Sequence, residues 1–327
     1  MESWGIMLEM LSQLPDYPFL WYFWFECRVA AFLRRTKPDL FLTTDGFLPL
    51  HSKVPAVQVI HDINFEHRPG DLPLLAGKYY RYFFPRFARK ASRIVTVSEY
   101  SRRDIINNYD VDENRVDLAY NGANEGFGPI NEEEEHEVRN EFTKGCPYFL
   151  FVGSLHPRKN ITNLLKAFQL FKDENRANYK LVIVGEKFFL TSSMEEQLEK
   201  MPNKKDVIFT GRLSPNRLGH VIGAACAMTF VPYFEGFGIP IVEAMKCEIP
   251  VIASKVTSLP EIAGDAALFV SPNRPGSIRD AMIRIVREKG LREELIEKGR
   301  KRRVLFSWND TASKLWNSMA LVMEEDA

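Results

Sequence analysis

Ten short, mostly apolar runs of four to six residues, separated by stretches of helical periodicity, constrain this chain more than any other feature. In the first part they fall at 39–43, 56–61, 93–98 and 116–119, and in the second at 148–152, 180–184, 207–210, 228–231, 250–253 and 267–270. Runs of this length bounded by turn residues read as strands, and strands that alternate with helices pair in parallel under a helical cover on both faces. Helical patterns occupy 20–36, 72–90, 99–109, 162–173, 194–200, 215–224, 240–247, 276–288, 291–304 and 308–324. The expected fold class is therefore α/β, with two doubly wound, Rossmann-like domains, and ligands expected at the C-terminal ends of the strands, facing a cleft. The division expected is 1–125, 126–306 and a closing helix at 307–327 that crosses back toward the first domain. That last helix carries an apolar face through Ala312, Leu315, Trp316 and Met319. The charge run Glu132–Glu135 reads as a helix start rather than a linker, because Asn131 can cap it and Glu134 completes a capping box.

With 327 residues the chain suffices for two domains of ordinary size. Its 43 basic and 43 acidic residues balance, so no global charge recruits a nucleic acid. Cys27, Cys146, Cys226 and Cys247 are scattered, without a C-x-x-C pair or metal-ligand spacing, which suits reduced thiols in a cytoplasmic protein. The opening residues show no basic n-region or small-residue cleavage site, so no signal peptide is expected. The segment from Tyr17 to Leu33 is dense in aromatics from Phe19 to Phe25, but Glu26 and Arg28 interrupt it well short of the ~20 apolar residues that span a bilayer. A helix packed against the first domain's sheet is the expected state, with an interfacial helix followed by Arg34, Arg35 and Lys37 as the open alternative.

The stretch Phe234-Glu-Gly-Phe-Gly-Ile-Pro-Ile-Val-Glu-Ala-Met245 carries the chemistry. Glu235 and Glu243 stand eight residues apart across a glycine-rich turn that opens a helix. Gly236 and Gly238 permit positive φ and a ligand's close approach to the backbone, and Pro240 suits a first helical turn. Free N–H groups and the positive end of the helix dipole then favour an anion over the turn. Two carboxylates beside such a turn suit a ligand with both phosphate and hydroxyls, which a nucleotide sugar has. Taken alone, the same spacing serves equally well as an ordinary turn into an amphipathic helix.

That stretch resembles the E-x7-E motif of the retaining family 4 glycosyltransferases, enzymes of GT-B fold. Phe151-Val-Gly-Ser-Leu-His-Pro-Arg-Lys-Asn-Ile161 resembles the family's diphosphate-binding turn, and Pro250-Val-Ile-Ala-Ser254 with Leu259-Pro-Glu-Ile-Ala-Gly-Asp-Ala-Ala267 continues the pattern. The resemblance runs from about Pro38 to the C-terminus. It implies transfer of a hexosyl group, mannose by first choice, from a nucleotide-diphosphate sugar to the hydroxyl of a glycan or lipid-linked acceptor, with retention. Gly153, Ser154, Arg158 and Lys159 would hold the diphosphate, although many relatives carry an arginine where this chain has Ser154. Gly211 and Arg212 would line the base pocket. Gly236, Phe237, Gly238 and Ile239 would offer main-chain N–H groups, and Glu243 would take the ribose hydroxyls. Glu235 would sit at the donor sugar, and His61 is where the family places a histidine facing that sugar across the cleft. No metal and no other cofactor is expected, since the basic pair and the helix end neutralise the leaving group.

The resemblance further implies work at the inner face of the cell membrane, with peripheral association open. In the family the first domain opens with a strand and a glycine-rich loop, and nothing comparable stands before Pro38 here. A first domain short of strands is expected, with a nucleotide-sugar-binding protein or an impaired partner subunit as the alternative function.

Overall fold

In the computed structural model, residues 18–174, 178–186 and 192–325 are described. The search for a leader and the start of the aromatic segment at Tyr17 lie outside them. The chain divides into two compact units: Met1–Thr96 with Asp104–Asp117 and Leu315–Ala327, and Val97–Arg103 with Leu118–Lys314.

The first unit is built on strands β1 (Phe41–Thr43), β2 (Ala56–Ile60), β3 (Arg93–Thr96) and β4 (Val116–Leu118), which lie in sequence order within one sheet. β1 pairs with β2 and β2 with β3 in parallel. All five residues of β2 are buried, as expected of a strand covered on both faces. Phe84, Phe87, Ile94, Ile105 and Tyr109 form the core beside it.

The aromatic segment is packed, as the sequence favours. One helical run covers 18–36, with a π-type turn at Trp24–Val29 in its middle. Trp21 meets Phe47 edge-on at 5.4 Å and Tyr79 at 6.1 Å, Phe25 stacks on Phe47, and Tyr22 stacks on Phe83 at 4.7 Å. The partners come from the helix Leu74–Lys90 and the loop after β1, so the rings cover a helix rather than the sheet itself.

The second unit holds β5 (Tyr148–Val152), β6 (Lys180–Val184), β7 (Val207–Gly211), β8 (Ala227–Phe230), β9 (Val251–Ser254) and β10 (Ala267–Val270), in the order β10-β9-β8-β5-β6-β7. Every pairing is parallel. The chain starts at β5, runs outward to β7, then returns to β8 beside β5 and runs out the other way. The order reverses between β5 and β8, and the crevice outside their C-terminal ends is where an open α/β sheet takes a ligand. The core beneath is large and aromatic, with Tyr148, Phe149, Phe151, Phe168 and Phe171 fully buried.

All ten expected strands form, within a residue or two of their expected ends. The capping box at Asn131 is present: its side chain accepts from the Glu134 N–H, and the Glu134 carboxylate accepts from the Asn131 N–H. The last helix, Trp308–Glu325, differs from expectation. Its buried positions are Ser318 and Val322, while Ala312 and Trp316 are exposed. Leu315 and Met319 of the expected face are half-buried beside them, so hydrophobicity placed part of the stripe and missed its serine. Among the described residues no helix is long and apolar enough to cross a membrane.

Candidate active site

The two loops that leave the sheet at its reversal point carry most of the residues singled out in the sequence. After β5 comes Gly153, whose N–H donates to the Val184 carbonyl. A β-carbon on the neighbouring Gly185 would stand 1.9 Å from the Gly153 oxygen, so β5 and β6 end with bare backbone pressed against bare backbone. The chain then passes exposed Ser154 and turns at Pro157–Lys159, where His156 Nδ1 accepts from the Arg158 N–H. Asn160 locks this turn from below. It is buried in the left-handed region, and its Nδ2 donates to the carbonyls of Val231 and Pro272 at 2.8 and 2.9 Å.

After β8 the chain reaches Glu235, which is buried and meets both cations of the first loop. Arg158 Nη1 lies 2.8 Å and Lys159 Nζ 2.5 Å from Glu235 Oε1. Arg158 also donates to the Phe234 carbonyl at 2.9 Å, and the Lys159 ammonium stands 5.2 Å from the Phe230 ring centre. Two cations thus share one carboxylate in a site that is mostly dry.

The turn that follows has its carbonyls tied inward. Ser258 Oγ donates toward the Glu235 and Phe237 carbonyls at 2.9 and 3.1 Å, Ser98 and Ser101 toward that of Gly236, and the Ile241 N–H bonds the Gly238 carbonyl. The Glu235 N–H goes to Thr257 Oγ1. Nothing among the described residues accepts from the N–H groups of Gly236, Phe237, Gly238 and Ile239. Residues 234–238 are buried, and buried main-chain donors are normally paired. Gly238, at φ 104°, starts the helix Ile239–Lys246, whose positive end adds to these donors. Phe237 contributes backbone only, because its ring packs on Phe306 at 5.7 Å.

Glu243 sits in the first turns of that helix and is mostly buried, without a cation or hydrogen-bond donor among the described residues. Burial pushes its carboxyl up to about 7. Gly211 ends β7 with open space around it, and Arg212 is exposed beside it.

His61 closes β2 in the first unit, exposed, with Nε2 3.1 Å from the Thr44 carbonyl. It lines a cavity of about 340 Å³ with Asp45, Phe47, Asp62 and Tyr80. Asp62 Oδ1 accepts from the Asn64 N–H at 2.9 Å, in the turn that leads into the helix Asn64–His67.

Sequence reasoning missed the serines. Ser98, Ser101, Thr257 and Ser258 position the turn, and the signal available was hydroxyl residues clustered directly after β3 and β9. Glu261, in a quoted but unassigned stretch, accepts from the Glu99 and Tyr100 N–H groups at 2.7 and 2.9 Å and caps the helix Glu99–Tyr109. The chain also holds an Asp-x-Asp, at Asp110-Val111-Asp112, where the sequence reading expected no such acidic cluster. It belongs to a turn, where Asp112 Oδ1 accepts from the Asn114 N–H.

Residues 132–302, more than half of the chain, match the family of glycosyl transferases group 1. The chain belongs to that family. Residues 4–127 of the transferase match a second family, Glycosyltransferase Family 4. The transferase is 29% identical over 296 residues to O-antigen chain mannosyltransferase B of Escherichia coli, covering 90% of its own length and 77% of that protein. It is 28% identical over 268 residues to the O-antigen chain mannosyltransferase RfbU of Salmonella typhimurium, covering 81% and 70%. Among solved structures it resembles Anabaena HepE in complex with UDP and glucose, with a TM-score of 0.77 at 16% identity over 89% of this chain and 81% of that one. It also resembles WaaG, a glycosyltransferase involved in lipopolysaccharide biosynthesis, with a TM-score of 0.70 at 18% identity over 90% and 80%. At such identities the likeness shows the fold, two parallel-sheet domains of GT-B type. The transferase is thus a glycosyltransferase with Rossmann-like domains.

Proposed function

We propose that this glycosyltransferase moves mannose from a nucleotide-diphosphate sugar, held by residues 126–306, to a hydroxyl of a glycan or lipid-linked acceptor received by residues 1–125. The reading is supported chiefly by the cluster at the sheet's reversal point: two cations on one carboxylate, with four N–H groups and Glu243 that find no partner among the described residues. Arg158 and Lys159 offset charge on the departing diphosphate, and the N–H groups of residues 236–239 bind its oxygens. These groups do the work that a metal ion would otherwise do. Ionised Glu243 accepts from both ribose hydroxyls. Glu235 stands at the donor sugar, with Gly211 and Arg212 at the base.

In the step itself the bond from C1 to the phosphate oxygen breaks and a bond from C1 to the acceptor oxygen forms. The acceptor's proton leaves with the nucleoside diphosphate, and the configuration at C1 is retained. Mannose is favoured by the two O-antigen mannosyltransferases among the relatives. Work on such an acceptor is placed at the inner face of the cell membrane, with the protein in the cytoplasm.

Calorimetry tests the reading. Arg158→Ala with Lys159→Ala should cost affinity for a nucleoside diphosphate far more than for the bare nucleoside. Equal losses for the two ligands, or no binding of any nucleoside diphosphate by the parent chain, would sink it.

A further inference from the structure

A trans peptide is planar, so its N–H points opposite to its carbonyl, and no cis peptide occurs among the described residues. Holding the carbonyls of Glu235, Gly236, Phe237 and Gly238 therefore aims the N–H groups of residues 236–239. Ser258 Oγ holds two of these carbonyls and the Ile241 N–H holds that of Gly238. The remaining tie comes from far away in the sequence: Ser98 Oγ stands 2.6 Å from the Gly236 oxygen.

A helix start keeps Ser98 in place. Its Oγ accepts from the Ser101 N–H at 3.0 Å, in the first turn of the helix Glu99–Tyr109. The two preceding N–H groups, of Glu99 and Tyr100, donate one to each oxygen of the Glu261 carboxylate. A carboxylate there satisfies orphan donors and suits the helix dipole. The Tyr120 hydroxyl donates to the same carboxylate, and the Tyr120 ring lies 6.2 Å from that of Phe237. The backbone of Glu261 is itself anchored, because Arg302 donates to the carbonyls of Glu261 and Ile262. Two routes thus join Glu261 to the turn, one through Ser98 to the Gly236 carbonyl and one through Tyr120 to the Phe237 ring. Stabilising the helix alone would ask only for a local cap such as Ser98. A carboxylate brought from the segment after β9, directly following Ser258, also fixes where that helix begins relative to the turn.

We infer that Glu261 is a positioning residue of the donor site. It holds the start of the helix Glu99–Tyr109 so that Ser98 keeps the Gly236–Phe237 peptide turned, with the Phe237 N–H aimed at a diphosphate oxygen. This deepens the donor part of the function proposed above and rests on it.

The full chain is titrated by calorimetry with UDP and GDP, and with uridine and guanosine. Glu261→Ala should weaken whichever diphosphate the parent binds by about tenfold, one hydrogen bond's worth, and leave the matching nucleoside unchanged. Glu261→Gln should fall between, since its amide oxygen still accepts one N–H while its NH2 faces the other. Should the alanine variant fail to fold, the glutamine variant carries the same test. Ser98→Ala should match Glu261→Ala, and the double variant should be little weaker than either, because both act through one peptide. Asn131→Ala removes the cap of the helix Glu132–Thr143 instead, and should lower the melting temperature without touching diphosphate affinity.

Additive losses for Ser98 and Glu261, equal losses for diphosphate and nucleoside, or a loss in Asn131→Ala as large as in Glu261→Ala would each overturn the inference. A parent that binds a diphosphate beside Glu261 variants that bind it equally removes this role alone. A parent that binds neither diphosphate removes the donor site, and this role with it.

Discussion

Glu235 and Glu243 lie eight residues apart in opposite electrostatic conditions. Glu235 is clasped by Arg158 and Lys159, while Glu243 has neither a cation nor a donor beside it among the described residues. The first carboxylate is part of the resting structure. The second is an acceptor held ready at a cost in desolvation, which is where a ligand's hydroxyls would gain most.

That cost makes stability depend on pH. The Glu243 carboxyl titrates at about 7 in the folded chain against an ordinary 4.5. Between those values the native state holds a proton that the unfolded chain has released. The resulting stability is complete below about pH 4.5 and is lost as pH rises through about 7. Glu243→Gln should therefore gain on the parent above neutrality, on the order of 1–3 kcal/mol in urea unfolding, with little difference near pH ~4. In the parent, nucleotide affinity should rise with pH through the same window, and in the variant it should stay flat and weak.

Removing Glu235 should act in the other direction. Glu235→Gln leaves two mostly buried cations without their shared carboxylate and should destabilise the second unit by about 2–4 kcal/mol. Adding Lys159→Ala to it should recover part of the loss. A double-mutant cycle by denaturant unfolding would show this as strong non-additivity.

Ser258 is fully buried and its hydroxyl proton is shared between two carbonyls of the turn. Ser258→Ala should cost about 1–2 kcal/mol of stability. If the serine positions the turn, nucleoside diphosphate affinity should fall as well, while Ser258→Thr should retain more of it than alanine does.

Gly185 and Gly211 make a controlled pair. Both have positive φ, but a β-carbon at 185 would overlap the Gly153 oxygen, and one at 211 would meet nothing within 4 Å. Gly211→Ala should cost only its backbone strain, about 1 kcal/mol. Gly185→Ala must push two strand ends apart and should cost upwards of ~3 kcal/mol, read as a much lower melting temperature or loss of soluble protein.

The strands were legible because each is a short run buried over its whole length, as in β2 and β5, and such runs leave little choice of register or face. Arg158, Lys159 and Glu235 were singled out because a basic pair and a carboxylate beside strand ends draw notice, and the structure brings the three into contact. What escaped was the work of neutral hydroxyls. Ser98 and Ser258 lie far from the turn in sequence, and a serine's composition says nothing about which carbonyl it will find. Part of the last helix's buried stripe escaped for the same reason, since Ser318 is buried where Trp316 is not.

The four N–H groups at residues 236–239 that find no acceptor among the described residues belong to the main chain, and this sets how the turn can be interrogated. Truncating a side chain there does not remove the donor. Phe237→Ala would open a hole beside Phe306 and report on packing, with its N–H still in place. An alanine scan across this turn would rank it as structural filler and overlook its donors. Replacing single amides by esters would delete them one at a time. The same fact limits inheritance: sequence drift at these side chains barely alters the donors, which depend on the path of the backbone.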